Sequence, residues 1–514
     1  ICQCGTRPPM EQMQSFLTDS EDDTRAAAAA CLALHHQDES SYEMARRTLE
    51  EMLRGERGDD GKRAAAKTLE VIGDPVLQPY LFHLLEDASP AVVVQAIESI
   101  GVARRPEFVE RLVEKLGDGR FRGYAMRALA RYGRDALEDL GGLLADESTA
   151  LELRLAIARV LGMIPRQETV DLLAGYLEHR DWAMRYEVVR ALNTLRGDGI
   201  ELQFPEEEVR GVLKEEAEEY REISRAVHTC CDGEEGSEAQ LLRGLLGEHL
   251  EHTLERIFLA LGVLYGSRDM RIAYLGLTGS RRELRPGALE FLDNVLGPDD
   301  RRLVMPLVER SREGWEKVDL ESGHDPVGFL YRFIRGEDVW LRAVAVYTVG
   351  LRGFAALRGE VEDARHDRHL LVREAADFAL AELDCAGGSV EGERDRRDMI
   401  RLEKAVFLHG TDLFAAMPTS ELASMAELVR PVEFASGQTL ALEGEGMDRV
   451  CLIASGQVDL YGEEKFLGSF GQGEVVALWR LFAAGGAVVQ VVARVATVAL
   501  CMERRDLIGL MDIH

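Results

Sequence analysis

No run of about 18 apolar residues occurs in the 514-residue chain, so no segment reads as a membrane-spanning helix. The most apolar tail stretch, from Ala487 to Met502, is broken by Gln490 and Arg494 and is rich in valine, which reads as strands. Cysteine is thin as well. Eight in so long a chain do not make a disulfide framework and point to a reducing compartment. Cys2-x-Cys4 and Cys230-Cys231 are the clusters, and neither shows the further soft ligands a metal site needs. The histidine pairs His35-His36 and His366/His369 read the same way, so no metal is expected. Aromatics make up 6% of residues while alanine and leucine dominate, which leans helical. Positive charge is in deficit, 61 Lys and Arg against 91 Asp and Glu for a formal net charge of -30. That balance argues against binding nucleic acid or an anionic membrane and leaves a basic protein partner open. No Ser/His/Asp, paired-carboxylate or P-loop arrangement stands out, so neither catalysis nor a cofactor is expected. The chain opens at Ile1 without a signal-peptide pattern, which reads as a fragment.

What is present is a repeat. Arg63-Ala-Ala-Ala-Lys-Thr-Leu-Glu-Val-Ile-Gly73, Val93-Val-Gln-Ala-Ile-Glu-Ser-Ile-Gly101 and Tyr124-Ala-Met-Arg-Ala-Leu-Ala-Arg-Tyr-Gly133 share one pattern. Leu153 to Gly162 and Met184 to Leu192 continue it, and the ends recur about every 30 residues, the spacing of helical-pair solenoids. Each unit reads as an apolar helix with small buried residues, closed by glycine just past its C-terminus. A second helix follows, as in Phe108 to Leu116. Arg154, Arg185, Arg342 and Arg373 hold one place in their units. A structural role is expected there, the stem packed between units and the head on a carbonyl or carboxylate. Asp181 and Asp338, four residues before such an arginine, are candidate N-caps. The phrase resembles short HEAT repeats.

Residues 201–245 break the period. Phe204-Pro-Glu-Glu-Glu opens a long acidic helix through Tyr220, with glutamates at the positive end of its dipole. A second amphipathic helix is predicted from Glu238 to about Leu264 by its apolar period. Further solenoid helices follow to residue 383, and 384–404 reads as a linker. Glu255-Arg-Ile-Phe258, Leu261-Gly-Val-Leu-Tyr265 and Ala288-Leu-Glu-Phe-Leu-Asp-Asn294 resemble the soluble region fused behind the membrane domain in bacterial relatives of the ATP/ADP translocase family. That resemblance implies a fused transmembrane transporter domain as partner, and a cytoplasmic place at the inner face of a membrane.

From Val432 the pattern alternates, with Gly437, Gly444 and Gly456 at turns that need positive φ. Short alternating strands between glycine turns indicate a rolled antiparallel sheet. Phe434-x-x-Gly437, Glu443-Gly-Glu-Gly446 and Leu452-Ile-x-x-Gly-Gln-Val458 resemble the cyclic-nucleotide-binding β-roll of the catabolite-activator superfamily. The expected fold is therefore mostly α: a HEAT-like array over 1–200, long acidic helices with a second array over 201–383, the linker, and a β-roll over 405–514.

In that family the phosphate-binding cassette has the form G-x-G-x-x-F-G-E-x-A-L, followed by R-[ST]-A. The resemblance implies a glutamate on the ribose hydroxyl and an arginine on the cyclic phosphate. Gly471-Gln-Gly-Glu-Val-Val-Ala-Leu478 places Val476, Ala477 and Leu478 at F-G-E, and Ala487 with Val488 falls on the later motif. An apolar side chain cannot replace a charged hydrogen bond worth about 1.5–3 kcal/mol. Gly473, Glu474, Val476, Ala477, Leu478, Arg480, Ala487 and Val488 are thus the candidate residues of a degenerate cassette. cAMP and cGMP are not the expected ligands. A pocket lined by Val476, Leu478 and Ala487 would take another nucleotide or an apolar ligand, and Arg480 is a candidate to meet a different anion.

The reading that follows is a non-enzymatic scaffold or regulatory module with a protein partner. A ligand-gated sensor that binds a nucleotide through the roll is one alternative. A HEAT-type lyase or chaperone is another.

Overall fold

The computed structural model describes residues 10–35, 38–72, 77–179, 181–197, 201–231, 237–279, 281–310, 325–336, 338–385, 399–409, 411, 414, 419–441, 449–462, 465–476 and 489–503. Among them are 23 α-helices followed by eight strands. The chain divides into two compact units, one of Ile1–Ala217 with Glu255–Met305, the other of Glu218–Leu254 with Pro306–His514.

In the first unit the repeat helices Asp22–His35, Gly58–Ile72, Pro90–Ala103, Arg122–Tyr132, Leu151–Leu161 and Trp182–Gly197 pack in succession as one layer. Helices such as Glu39–Leu53, Val109–Leu116 and Leu137–Ala145 form the second layer. The recurring arginines place their heads on backbone carbonyls, as expected. Arg154 Nε donates to Leu144 O at 2.8 Å, and Arg185 Nη1 donates to His179 O at 2.7 Å. Arg122, which the repeat pattern had not singled out, donates to Leu116 O at 2.8 Å. Leu144 and Leu116 lie in the last turns of their helices, where intrahelical partners run out and the dipole favours a cation, while His179 lies in the turn after the helix Gln167–Ala174. Asp181 caps as expected, accepting from Ala183 N at 2.9 Å and Met184 N at 3.2 Å.

The glycines correct the sequence reading. Gly101 lies inside its helix and Gly162 ends its helix at φ -60°, so neither is a left-handed terminator. A Cβ on Gly101 would sit 2.8 Å from Ala128 Cα, and one on Gly162 would sit 2.8 Å from Ala191 Cα. These glycines let successive repeat helices touch backbone to backbone. Gly133 alone of the three follows the expectation, at φ +58°, and Gly73 lies outside the described residues.

At the equivalent place in the Trp182–Gly197 helix stands Asn193. Its Nδ2 donates to Leu259 O at 2.8 Å, and its Oδ1 accepts from Ser267 Oγ. The solenoid thus resumes at residue 255, and the period break is the excursion of two long helices, Glu206–Cys231 and Ser237–Tyr265. Glu216 and Arg256 pair at 2.7 Å where both are mostly buried. Tyr265 Oη donates to buried Asp300 at 2.6 Å and accepts from Gly297 N at 2.9 Å, while Arg210 stands 3.5 Å from the same carboxylate.

In the second unit Val339–Arg352 packs on Leu370–Cys385 with Tyr347 stacked on Phe378. The same devices recur. Asp338 caps its helix through Leu341 N at 2.6 Å, Arg342 holds Gly336 O at 2.8 Å and Asp367 at 3.1 Å, and Arg373 holds Asp367 O at 2.7 Å. Gly350 lies inside its helix, and a Cβ there would come within 2.5 Å of Ala379 Cα.

The roll has two four-stranded antiparallel sheets. Its strands are β1 Arg430–Phe434, β2 Thr439–Ala441, β3 Arg449–Ser455, β4 Val458–Gly462, β5 Lys465–Phe470, β6 Val475–Val476, β7 Val489–Ala493 and β8 Thr497–Glu503. They run β1-β8-β3-β6 and β2-β7-β4-β5. Period-two alternation sorts the side chains of β3 and β8. Leu452, Ala454, Leu500 and Met502 pack with Leu408, Leu422 and Met425 of the preceding helices, while Ile453, Ala499 and Cys501 join Val458, Val476 and Val491 in the roll's core. Gly437 and Gly456 turn at φ +82° and +91°, as expected. Gly444 lies outside the described residues.

Cys451 and Cys501 face each other across β3 and β8 and form a disulfide. This corrects the expectation of unpaired cysteines. They are 50 residues apart, and the antiparallel register, not their spacing, brings them together. Cys230 and Cys231 are both buried. No helix among the described residues is long and apolar enough to cross a membrane.

Candidate functional site

The cassette begins at the turn 471–474, which leads from β5 into β6. Gly473 adopts φ +84°, a left-handed value glycine takes without cost. Its N–H donates to Ile453 O at 2.9 Å, and Ile453 N–H donates to Glu474 O at 3.0 Å. The turn is thereby hydrogen-bonded to the central strand β3. The Glu474 carboxylate accepts from Gly471 N–H, closing the turn on itself. Val475 and Val476 then pair with Leu452 and Cys451, and Val476, 3% exposed, is packed into the roll's core.

Of the eight candidate residues, Gly473, Glu474 and Val476 are therefore brought together at one turn and strand. Ala477, Leu478, Arg480, Ala487 and Val488 lie outside the described residues. The Val476 side chain packs among Ile453, Val458 and Val491 inside the roll. Nearby polar groups of the roll are engaged with one another. Ser469 donates to Asp459 at 2.6 Å, Gln490 donates to Thr439 at 3.2 Å, and Gln457 N–H donates to Thr497 Oγ1 at 3.2 Å.

A groove of about 500 Å³ lies between the helices Arg358–Ala364 and Leu370–Cys385. Sequence reasoning did not find it. Its charges are already paired: Arg358 with Asp384 at 2.8 Å and with Glu362 at 3.0 Å, and Arg365 with Asp377 at 2.7 Å. His366 lines it, but no group of three or more His, Cys, Asp or Glu side chains among the described residues could hold a metal ion. His409 is held below the usual imidazole range by burial. Burial pushes the Cys230 thiol up to about 11, so it stays a thiol at neutral pH.

The family model described as "Cyclic nucleotide-binding domain" matches residues 431–514, and "HEAT repeats" matches 10–101 and 148–215. The chain joins HEAT repeats to a C-terminal cyclic nucleotide-binding domain. Solved structures resemble it over a limited share. The N-terminal domain of a transcriptional regulator from Streptomyces coelicolor A3(2) is 26% identical over 21% of this chain and 81% of its own, with a TM-score of 0.19. The regulatory subunit of a cAMP-independent protein kinase A from Trypanosoma brucei is 25% identical over 26% of this chain and 50% of its own, with a TM-score of 0.21. A cyclic nucleotide-binding-like protein from Brucella abortus is 21% identical over 21% of this chain and 98% of its own, with a TM-score of 0.19. No curated protein matches the chain. These matches lend nothing to the expected link with nucleotide transport.

Proposed function

We propose that the chain is a non-enzymatic regulatory scaffold, in which HEAT helices present a surface to a protein partner and the roll has lost the family's cyclic-nucleotide chemistry. The observation that carries this reading is the anchored start of the cassette. Gly473 is bonded to β3, and β6 is in register with it. Counting on from that anchor puts Leu478 at the glutamate position and Ala487 at the arginine position. A cyclic phosphate would then meet no cation and a ribose hydroxyl no carboxylate at those places, and an uncompensated buried charge is costly.

A thermal-shift panel with cAMP, cGMP, cyclic dinucleotides, ATP and ADP tests the reading. One site at a hundred times its Kd adds about 2.7 kcal/mol, enough to move the midpoint visibly. No shift is expected with cAMP or cGMP, and a shift with either would overturn the reading. A shift with ATP or ADP alone would instead favour a sensor for another nucleotide. In its finer form the proposal attaches this scaffold to a nucleotide-transport membrane domain, on the strength of the 255–294 motifs. A gene with no block of transmembrane helices upstream of Ile1 would end that form.

A further inference from the structure

The helix Ser267–Thr278 and the turn after it carry a local charge opposite to that of the whole chain. Residues 267–285 hold five arginines (268, 271, 281, 282 and 285) against Asp269 and Glu283, in a protein of net charge -30. On the helix, Arg268, Arg271, Ile272 and Leu275 follow the i, i+3, i+4, i+7 spacing of a single face. All four are exposed, Ile272 at 61% and Leu275 at 54%. The opposite face, Met270, Ala273, Gly276 and Leu277, is buried, and a Cβ on Gly276 would meet Ala288 of the neighbouring helix at 3.1 Å. Packing therefore fixes which way the helix faces. Leu284, in the turn Arg282–Leu284, is 54% exposed as well. Arg268, Arg271 and Arg281 take part in no ion pair among the described residues, whereas many of the chain's other arginines do.

We infer that this stripe docks a short acidic amphipathic segment of a partner protein, with Asp or Glu on Arg268, Arg271 and Arg281 and Leu- or Ile-type side chains on Ile272, Leu275 and Leu284. Exposed large aliphatics on one helical face are what a helix-in-groove contact buries. Unpaired guanidinium groups flanking them select carboxylates. The wider charge decides against a lipid surface. An anionic bilayer extends past the stripe and meets the rest of an acidic molecule. A short segment feels only the field within a Debye length, about 8 Å at physiological salt. The inference rests on the scaffold reading and names its partner class.

The test uses the full chain. Random 12-residue peptides are selected by display on the wild type, and the winners are measured by fluorescence polarisation against wild type, R268E/R271E and I272S/L275S. Circular dichroism melts serve as the folding control. Enriched peptides should combine acidic with aliphatic residues, lose about tenfold or more in affinity to each variant, and weaken as salt is raised. Peptides without an acidic bias, or ones that bind both variants as they bind wild type, would overturn the inference. So would phosphatidylglycerol vesicles that bind wild type but not R268E/R271E, or a dimer on light scattering that the same variant dissolves. Each of these outcomes leaves the nucleotide result untouched, so failure of the stripe is separable from failure of the scaffold reading.

Discussion

Replacing Gly101 with alanine should destabilise the first unit, although alanine is the better helix former. A Cβ at this position stands 2.8 Å from Ala128 Cα, 2.9 Å from its Cβ and 3.5 Å from its carbonyl oxygen. Non-bonded carbons settle at about 3.5–4.0 Å, so the helices Pro90–Ala103 and Arg122–Tyr132 would have to part by roughly an ångström. The obstacle is backbone, which cannot swing aside as a side-chain end can. Overpacking of this kind costs about 1–3 kcal/mol, more than the propensity gain of about 0.5–1 kcal/mol returns. Gly142 is the control. It sits inside the helix Leu137–Ala145 of the same unit, and a Cβ there meets nothing within 4 Å. Gly142→Ala should therefore stabilise by about 0.5–1 kcal/mol. Urea melts followed by far-UV circular dichroism should move the midpoint down for Gly101→Ala and up for Gly142→Ala. Ala128→Gly should not rescue the former, since Ala128 Cα remains in the way. A Gly101→Ala midpoint at or above wild type would refute the backbone-contact account of the repeat glycines.

Thr169 Oγ1 is fully buried without a hydrogen-bond partner, so Thr169→Val should raise stability by about 1 kcal/mol, and a loss in the urea midpoint would mean the hydroxyl is satisfied after all. Tyr265→Phe removes a donor from buried Asp300 and should cost about 1.5–3 kcal/mol. Burial first, then the bond to Asp300, hold the Tyr265 phenol above its usual range. Its contribution is thus complete below the unfolded pKa of about 10 and is lost as pH rises through the folded value, so the wild-type advantage should shrink in alkaline melts. Reducing the Cys451–Cys501 disulfide should lower the stability of the roll by about 2–4 kcal/mol, and a calorimetric trace indifferent to a dithiol reductant would deny the bond.

Much of this architecture was legible because repetition exposes itself in one sequence. The period marked the stacked helices, the recurring arginine position marked a structural role with the head on a carbonyl or carboxylate, and Asp181 and Asp338 marked two helix starts. Alternation with glycine turns marked the roll. Contacts between distant residues were not legible. Gly101 and Gly162 looked like terminators because a glycine at a helix end and one at a helix crossing read alike, and only the facing alanine distinguishes them. The Cys451–Cys501 pair depends on strand register, which spacing does not encode. The 267–284 stripe went unremarked because its apolar residues looked like ordinary solenoid core until packing showed which face turned outward.

The most direct test of the central claim is isothermal titration of cAMP into the full chain and into its Leu478→Glu/Ala487→Arg variant. The account predicts no binding heat for the wild type and measurable binding once both family side chains are restored. Saturable cAMP binding by the wild type would contradict it, since the pocket would then be working without the two residues whose loss defines this reading.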